Sequence, residues 1–216
     1  MKKLLHIIAT PRADESRTLK VSAEFLKAFQ AQPPGWIIDE LNLTGAQLPS
    51  LTVQRVNGKY ALLSGRELQG EMKKSWDEVI RYIEQFLSAD VYLISAPMWN
   101  FSIPYTLKHY IDVILQPKYL FRYTAAGPEG LVKNKKMTVI TSRGGDYSGA
   151  MRPFDFAEPY LRAAFGFVGI KDITFINAQP MDMGQETQEK QIEIARKAAR
   201  ENANSILAGT AAQFSG

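Results

Sequence analysis

Among its 216 residues the chain has no cysteine. Disulfides, thiolate nucleophiles and sulfur-ligated metals are therefore excluded, and the lack fits a reducing compartment without demanding one. No apolar run approaches the length needed to span a bilayer. The opening Met1-Lys2-Lys3 followed by Leu4-Leu5-His6-Ile7-Ile8-Ala9 resembles a signal peptide only superficially. The run is too short, His6 interrupts it, and Pro11-Arg12 follows with no small-residue cleavage pattern. A first β-strand explains it better, and the expectation is a cytoplasmic protein with no membrane partner. A dense Lys/Arg stripe is missing too. Twenty-six basic residues against 22 acidic ones leave a net charge of +4, too small and too spread to read as a nucleic-acid surface.

What is present is an alternation of apolar runs and helical periodicity, which argues for βαβ units and a mostly parallel sheet. Strand candidates lie at residues 3–9, 36–41, 90–95, 136–141 and 170–177. Ser16 can N-cap a helix to about residue 32, ended by Pro33-Pro34-Gly35. The clearest helix carries Met72, Trp76, Val79, Ile80, Ile83 and Leu87 at the 3.6-residue period. Trp76 reads as core by that spacing, with no further role. Another helix should start at Pro104 and run to about residue 115, a short one should end by Phe165, and a last one should span 185–207.

Two stretches resist this pattern. Residues 42–65 are too long for a routine connection and suggest short turns or a lid, and residues 116–135 wander without a clear period. The expectation is one domain over residues 1–208, with a small, polar and frayed tail at 209–216. The fold class is α/β: a flavodoxin-like three-layer sandwich, five parallel strands in the order 2-1-3-4-5 with helices on both faces. Right-handed crossovers then bring the loops after the first, third and fourth strands to one edge.

Those three loops carry the chemistry. The first, Thr10-Pro11-Arg12-Ala13-Asp14-Glu15-Ser16-Arg17-Thr18, has neither the G-x-G-x-x-G of a dinucleotide fold nor the G-K-[ST] of a P-loop. It offers three hydroxyls beside a helix N-terminus, where unpaired N–H groups favour an anion. Read alone, Ser16 is somewhat better explained as a helix cap only. Asp14 and Glu15 would oppose an anion unless they point outward, and Arg12 and Arg17 partly offset them. The second loop, Pro97-Met98-Trp99-Asn100-Phe101, ends a short apolar run and is stiffened by Pro97 and Pro104. It makes a shelf of apolar rings and one amide, suited to a flat heteroaromatic ligand and not to a metal. The third, Ser142-Arg143-Gly144-Gly145, pairs two glycines that let backbone approach such a ligand and aim amides at its edge. An anion site, an aromatic shelf and an amide-rich edge match the three parts of flavin mononucleotide.

The chain also resembles the FMN-dependent NADH-azoreductases, described as well as NADH:quinone oxidoreductases, of the flavodoxin-like superfamily. The resemblance rests on Ala96-Pro97-Met98-Trp99-Asn100-Phe101, on Phe121-Arg122-Tyr123-Thr124 with Gly127-Pro128-Glu129-Gly130-Leu131, on Thr141-Ser142-Arg143-Gly144-Gly145 and on Gly166-Phe167-Val168-Gly169-Ile170, in matching order along nearly the whole chain. It implies a homodimer with tightly but noncovalently bound FMN near the subunit interface. It implies ping-pong catalysis as well, NADH or NADPH reducing the flavin and a quinone or azo compound taking the electrons. Thr10, Ser16, Thr18 and the Arg17 amide would hold the phosphate. Pro97 through Phe101 and Ser142 through Gly145 would carry the ring, and Phe121 and Tyr123 would wall the substrate pocket. Three departures stand out: Thr10 where serine is usual, followed by an atypical Pro11-Arg12; Trp99 where tyrosine is more usual; and Tyr147 where many relatives have histidine.

Because the flavin carries the chemistry, no strong acid or base is required. Protons could come from water, Tyr123 or Tyr147. His6, in a strand, and His109, on a packed helix, are expected to be structural. The rival readings are a flavodoxin-like electron carrier and a flavin-binding sensor with negligible turnover, and the two long excursions favour the enzyme.

Overall fold

The computed structural model describes residues 1–32 and 35–212. The Pro33-Pro34 stop expected after the first helix, and the end of the tail, lie outside the described residues. Five parallel strands form the main sheet: β1 (Lys2–Ile8), β2 (Trp36–Asn42), β3 (Val91–Ser95), β6 (Lys136–Ser142) and β7 (Asp172–Ala178). Their order is β2-β1-β3-β6-β7. Because β4 (Phe121–Thr124) and β5 (Gly127–Gly130) pair only with each other, this is the 2-1-3-4-5 order read from the sequence.

The strands are continuous apolar runs because both sheet faces are covered. Side chains alternate between the faces, so each strand feeds two cores. Leu4, Val91, Leu93, Ile140 and Ile176 face α1 (Arg17–Gln30) and α6 (Gln185–Ala212), where Val21, Phe25, Ala195, Ala199 and Ala203 meet them. Leu5, Ile7, Tyr92, Ile94 and Val139 face α3 (Gly70–Leu87), α4 (Tyr105–Ile114) and α5 (Ala157–Phe167). In that second core Phe86 stacks on Tyr92 at 4.4 Å and on Phe165 at 6.0 Å between centroids. Each such ring removed from water contributes about 1.5–3 kcal/mol.

Both unpatterned stretches fold into regular structure. Within 42–65, residues Val53–Leu63 form α2, capped by Thr52, whose hydroxyl accepts the Arg55 N–H at 3.4 Å. Its inner face is small: Gly58, Ala61 and Leu62 are buried. A Cβ on Gly58 would overlap the Trp76 indole, and that indole donates to the Arg55 carbonyl at 3.1 Å. Trp76 is thus the core residue its spacing implied. Within 116–135, the β4–β5 hairpin replaces the expected wandering loop, and just beyond it the Val132 N–H donates to the Val168 carbonyl at 2.8 Å. The tail differs as well. The last helix does not end near residue 207 but continues to Ala212, with the Thr210 hydroxyl bonded to the Leu207 carbonyl at 2.8 Å and Lys2 Nζ to the Thr210 carbonyl at 3.2 Å.

Among the described residues, no helix is long and apolar enough to cross a membrane.

Candidate functional site

The sheet directs the carboxyl ends of β1, β3 and β6 to one edge, where ligands bind in open α/β folds. A cavity of about 190 Å³ opens there. Its first wall is Thr10, Arg12, Ser16 and Arg17. Ser16 N-caps α1, its Oγ accepting from the Leu19 N–H at 3.3 Å and from Thr10 Oγ1 at 3.3 Å. Both hydroxyl residues are almost fully buried, so they are fixed in place beside the amides of the first helical turn. Asp14 and Glu15 occupy a short 3₁₀ turn and are exposed. The Glu15 carboxylate is paired with Arg12 at 3.3 Å, which meets the electrostatic objection to an anion here.

Thr18 is placed differently from the expectation. Its side chain is fully buried, and its Oγ1 lies 2.8 Å from Ser142 Oγ. That bond ties the first turn of α1 to the end of β6, so the hydroxyl is spent on the scaffold and does not line the cavity.

The second wall is the shelf, with Pro97, Met98 and Trp99 in the cavity. Backbone bonds from the Ala96 N–H to the Ile140 carbonyl (3.1 Å) and from the Met98 N–H to the Ser142 carbonyl (2.9 Å) continue the sheet into it. Then the chain reverses: Trp99 and Ser102 exchange both backbone hydrogen bonds at 2.9 Å. Asn100 and Phe101 sit between them with φ of 46° and 69°, the geometry of a two-residue turn that demands left-handed backbone at both central positions. Asn tolerates this; a phenylalanine there stores strain on the order of 1–3 kcal/mol. The turn leaves Trp99 38% and Phe101 44% exposed, rings offered to a ligand instead of to the core. Asn100 faces an adjoining cavity of about 420 Å³, shared with Trp99, Tyr105, Lys108 and Tyr160. The Tyr160 hydroxyl is pushed up to about 12, chiefly by burial and then by Asp112.

The third wall is Ser142, Arg143 and Gly144. Gly144 lets the Asp182 carboxylate lie close over its backbone: a Cβ there would stand 2.5 Å from Asp182 Oδ2. Gly145 packs beside the Tyr147 ring, 3.6 Å from where its Cβ would be. The Arg143 side chain differs from the expectation that it carries the ring. It is buried and paired with Asp155 at 2.7 Å, and its backbone N–H is bonded to the Ala178 carbonyl at 3.0 Å, so guanidinium and amide are both engaged within the fold.

A fourth wall escaped the sequence reading. Met181 and Asp182, in the loop after β7, close the cavity, with the Asp182 carboxylate 2.6 Å from the Arg17 guanidinium. The signal was available, because that loop also leaves the carboxyl end of a strand in the same sheet. Phe121 and Tyr123 are not brought to the site of their own chain. The hairpin follows the far end of α4 and leads into the start of β6, at the opposite sheet edge. There Phe121 is buried against Phe167 at 4.8 Å, and Tyr123 is 65% exposed.

His6 and His109 line neither cavity. His6 Nε2 is 2.8 Å from Ser95 Oγ, and burial lowers its pKa to about 4 despite Glu40 nearby. His109 Nε2 lies 3.0 Å from the Pro49 carbonyl.

These features fit a flavin nucleotide. Hydroxyls, guanidinium groups and helix amides make an anion cradle, and Pro97, Met98 and Trp99 of the shelf border the same cavity. A model of the flavodoxin-like fold family matches residues 2–203. An FMN-dependent NADH:quinone oxidoreductase of Azotobacter vinelandii is 37% identical over 198 residues, covering 91% of this chain and 97% of that protein. The chain belongs to the flavodoxin-like family of these oxidoreductases. A protein of the same name from Desulfotalea psychrophila is 35% identical over 198 residues, 91% of this chain and 93% of that one. Among solved structures, an azoreductase from Bacillus anthracis Sterne superposes with a TM-score of 0.86 at 30% identity, covering 95% of this chain and all (100%) of that one. An FMN-dependent NADH-azoreductase from Bacillus anthracis Ames Ancestor, solved with FMN, gives 0.82 at 30% identity, covering 94% and 100%.

Proposed function

We propose that this family member is an FMN-dependent NAD(P)H oxidoreductase that transfers two electrons at a time to quinones and azo compounds. The observation that carries the reading is the meeting, in one cavity, of a Ser16-capped helix N-terminus with the Met98–Trp99 shelf and the Gly144 loop. Relatives and solved neighbours named for this activity along nearly the full chain support it.

Thr10, Ser16 and the first amides of α1 would hold the phosphate, with Arg12 and Arg17 supplying positive charge. The Trp99 and Phe101 rings and the backbone of Gly144 and Gly145 would carry the ring system. When bound, FMN would supply the two-electron redox chemistry. The chain's part is placement. It must keep one ring face open, because reacting atoms need to approach to roughly 3–3.5 Å. The aromatic cavity beyond Trp99, with Tyr105 and Tyr160 in its walls, gives a flat acceptor room next to the shelf. Tyr147, beside Gly145, could lend a proton to a nearby oxygen.

The reading includes a homodimer. Phe101, Tyr105, Phe154 and Phe156 are all large and at least 44% exposed, and exposed apolar rings that lie together mark interaction surfaces. A second chain would also give the exposed Tyr123 hairpin a site to wall. The deciding assay is steady-state turnover of the purified, FMN-loaded protein with NADH or NADPH against a small quinone and an azo dye. Turnover with either acceptor is expected. A colourless protein that takes up no added FMN would overturn the proposal.

A further inference from the structure

We propose that Arg143 and Asp155 are positioning residues that keep the Asn100-Phe101 turn in the shape a flavin ring requires; this rests on the flavin reading above. The chain of contacts is continuous. The Arg143 backbone is fixed to the end of β7, its N–H donating to the Ala178 carbonyl at 3.0 Å and its carbonyl accepting from the Met181 N–H at 2.9 Å. Its side chain then turns inward. Nε donates to Thr141 Oγ1 at 3.0 Å and Nη1 to Asp155 Oδ2 at 2.7 Å, while Nη2 makes no hydrogen bond and has the Glu158 carboxylate at 3.9 Å.

Asp155 uses its other oxygen as the cap of α5, with Oδ1 accepting from the Ala157 and Glu158 N–H groups at 3.0 and 3.1 Å. With both carboxylate oxygens engaged, the backbone at this point has little freedom. The next residue, Phe156, donates its N–H to the Phe101 carbonyl at 2.9 Å. Phe101 is the residue held at φ 69° without being glycine, and strained backbone persists only where its surroundings over-determine it. The same segment brings Phe154 to 5.9 Å from the Phe101 ring.

Without the Arg143–Asp155 pair, residues 152–156 lose their anchor to the third loop, the Phe101 carbonyl loses a fixed donor, and the turn relaxes toward ordinary φ. The ring shelf is disturbed. The phosphate wall of Thr10, Ser16 and Arg17, on the far side of the cavity, is not. A buried guanidinium turned onto Thr141 and Asp155 is explained by this role, whereas direct binding leaves that orientation unaccounted for.

The test is binding of FMN and of riboflavin, which lacks the phosphate, to the full-length protein and to Asp155→Ser. Serine keeps a capping oxygen for α5 and removes the partner of Arg143. Circular dichroism and thermal unfolding check the fold. If Asp155→Ser does not fold, Arg143→Lys, with one donor group where two nitrogens bond, decides by the same criterion. The expected result is a loss of affinity of about ten- to a hundredfold, the usual size for removing a supporting partner, equal for both flavins so that their affinity ratio is unchanged. A loss smaller than about tenfold in the folded variant would overturn the proposal, taking the lower bound of that range as the margin. So would a loss confined to FMN, or a ratio that collapses along with the melting temperature. Wild-type protein that takes up neither flavin would instead defeat the functional reading beneath it.

Discussion

Replacing Ser16 by alanine and by aspartate separates the two jobs the geometry gives this residue. Its Oγ caps α1 by accepting the Leu19 N–H, and it also stands in the cavity wall beside Thr10. Ser16→Ala should cost about 1 kcal/mol of stability through the lost cap. It should also remove one charge-assisted bond to the phosphate, worth roughly 1.5–3 kcal/mol, or about ten- to 150-fold in FMN affinity. Ser16→Asp keeps a capping oxygen, so stability should stay near wild type. The new carboxylate, however, faces the phosphate. At about 4 Å and an effective dielectric near 20, each pair of unit charges repels by about 4 kcal/mol, which is roughly a thousandfold in affinity. Thermal unfolding reads the first effect, and quenching of flavin fluorescence on titration reads the second. Riboflavin serves as the phosphate-free comparison and should bind both variants much as it binds wild type. An aspartate variant that holds FMN as tightly as wild type would refute the placement of the phosphate at the α1 N-terminus.

Further outcomes follow from other contacts. His6 has its native pKa lowered by burial from 6.5 to about 4, so between those values the unfolded chain binds more protons than the native one. Stability should therefore fall as pH drops through this window, by about 3 kcal/mol in all; urea unfolding of His6→Gln should show that slope removed. Asp182→Asn relieves a carboxylate held 2.6 Å from Arg17. The exposed pair contributes about 0–1 kcal/mol to stability, so melting should hardly change while FMN binding tightens, most visibly at low salt. Trp76→Phe deletes the donor to the Arg55 carbonyl and should cost about 1–3 kcal/mol of stability, with FMN affinity unaltered. A matching loss of flavin binding would show that α2 and α3 reach the site.

The main sheet was legible because its strands are apolar runs and its helices have the expected period. β1 and β3 are buried on both faces, and Trp76, Val79 and Ile83 of the helical stripe point into the core; Leu87 at its end is exposed instead, and Tyr82 and Phe86 complete the buried face. α2 hid for the opposite reason. Val53, Val56, Tyr60 and Leu63 do recur at helical spacing, yet they are exposed, while the inner face is made of Gly58, Ala61 and Leu62. Small inner residues give hydrophobicity nothing to signal. The β4–β5 hairpin was obscured by Gly127, Pro128 and Gly130, turn formers that occupy strand positions here.

The loops of the site could be named from chain order, but not the direction of each side chain. Thr18 and Arg143 sit in the right loops and turn into the scaffold, a distinction that depends on partners outside those loops' local pattern: Ser142, 124 residues from Thr18, and Asp155, 12 residues from Arg143. Asp155, which caps α5 with one oxygen and holds Arg143 with the other, was not singled out from the sequence. The Arg17–Asp182 pair joins residues from the first and last loops of the sheet edge, and no local pattern announces it.

The central claim is that the three converging loops hold FMN where a nicotinamide donor and an acceptor can reach it in turn. The most direct measurement mixes FMN-loaded protein with NADH or NADPH in the absence of oxygen, follows the visible flavin absorption, and then adds a quinone. Bleaching by one or both nucleotides and recovery of the yellow colour on addition of quinone are expected. Bound FMN that stays oxidised with both donors would contradict the claim.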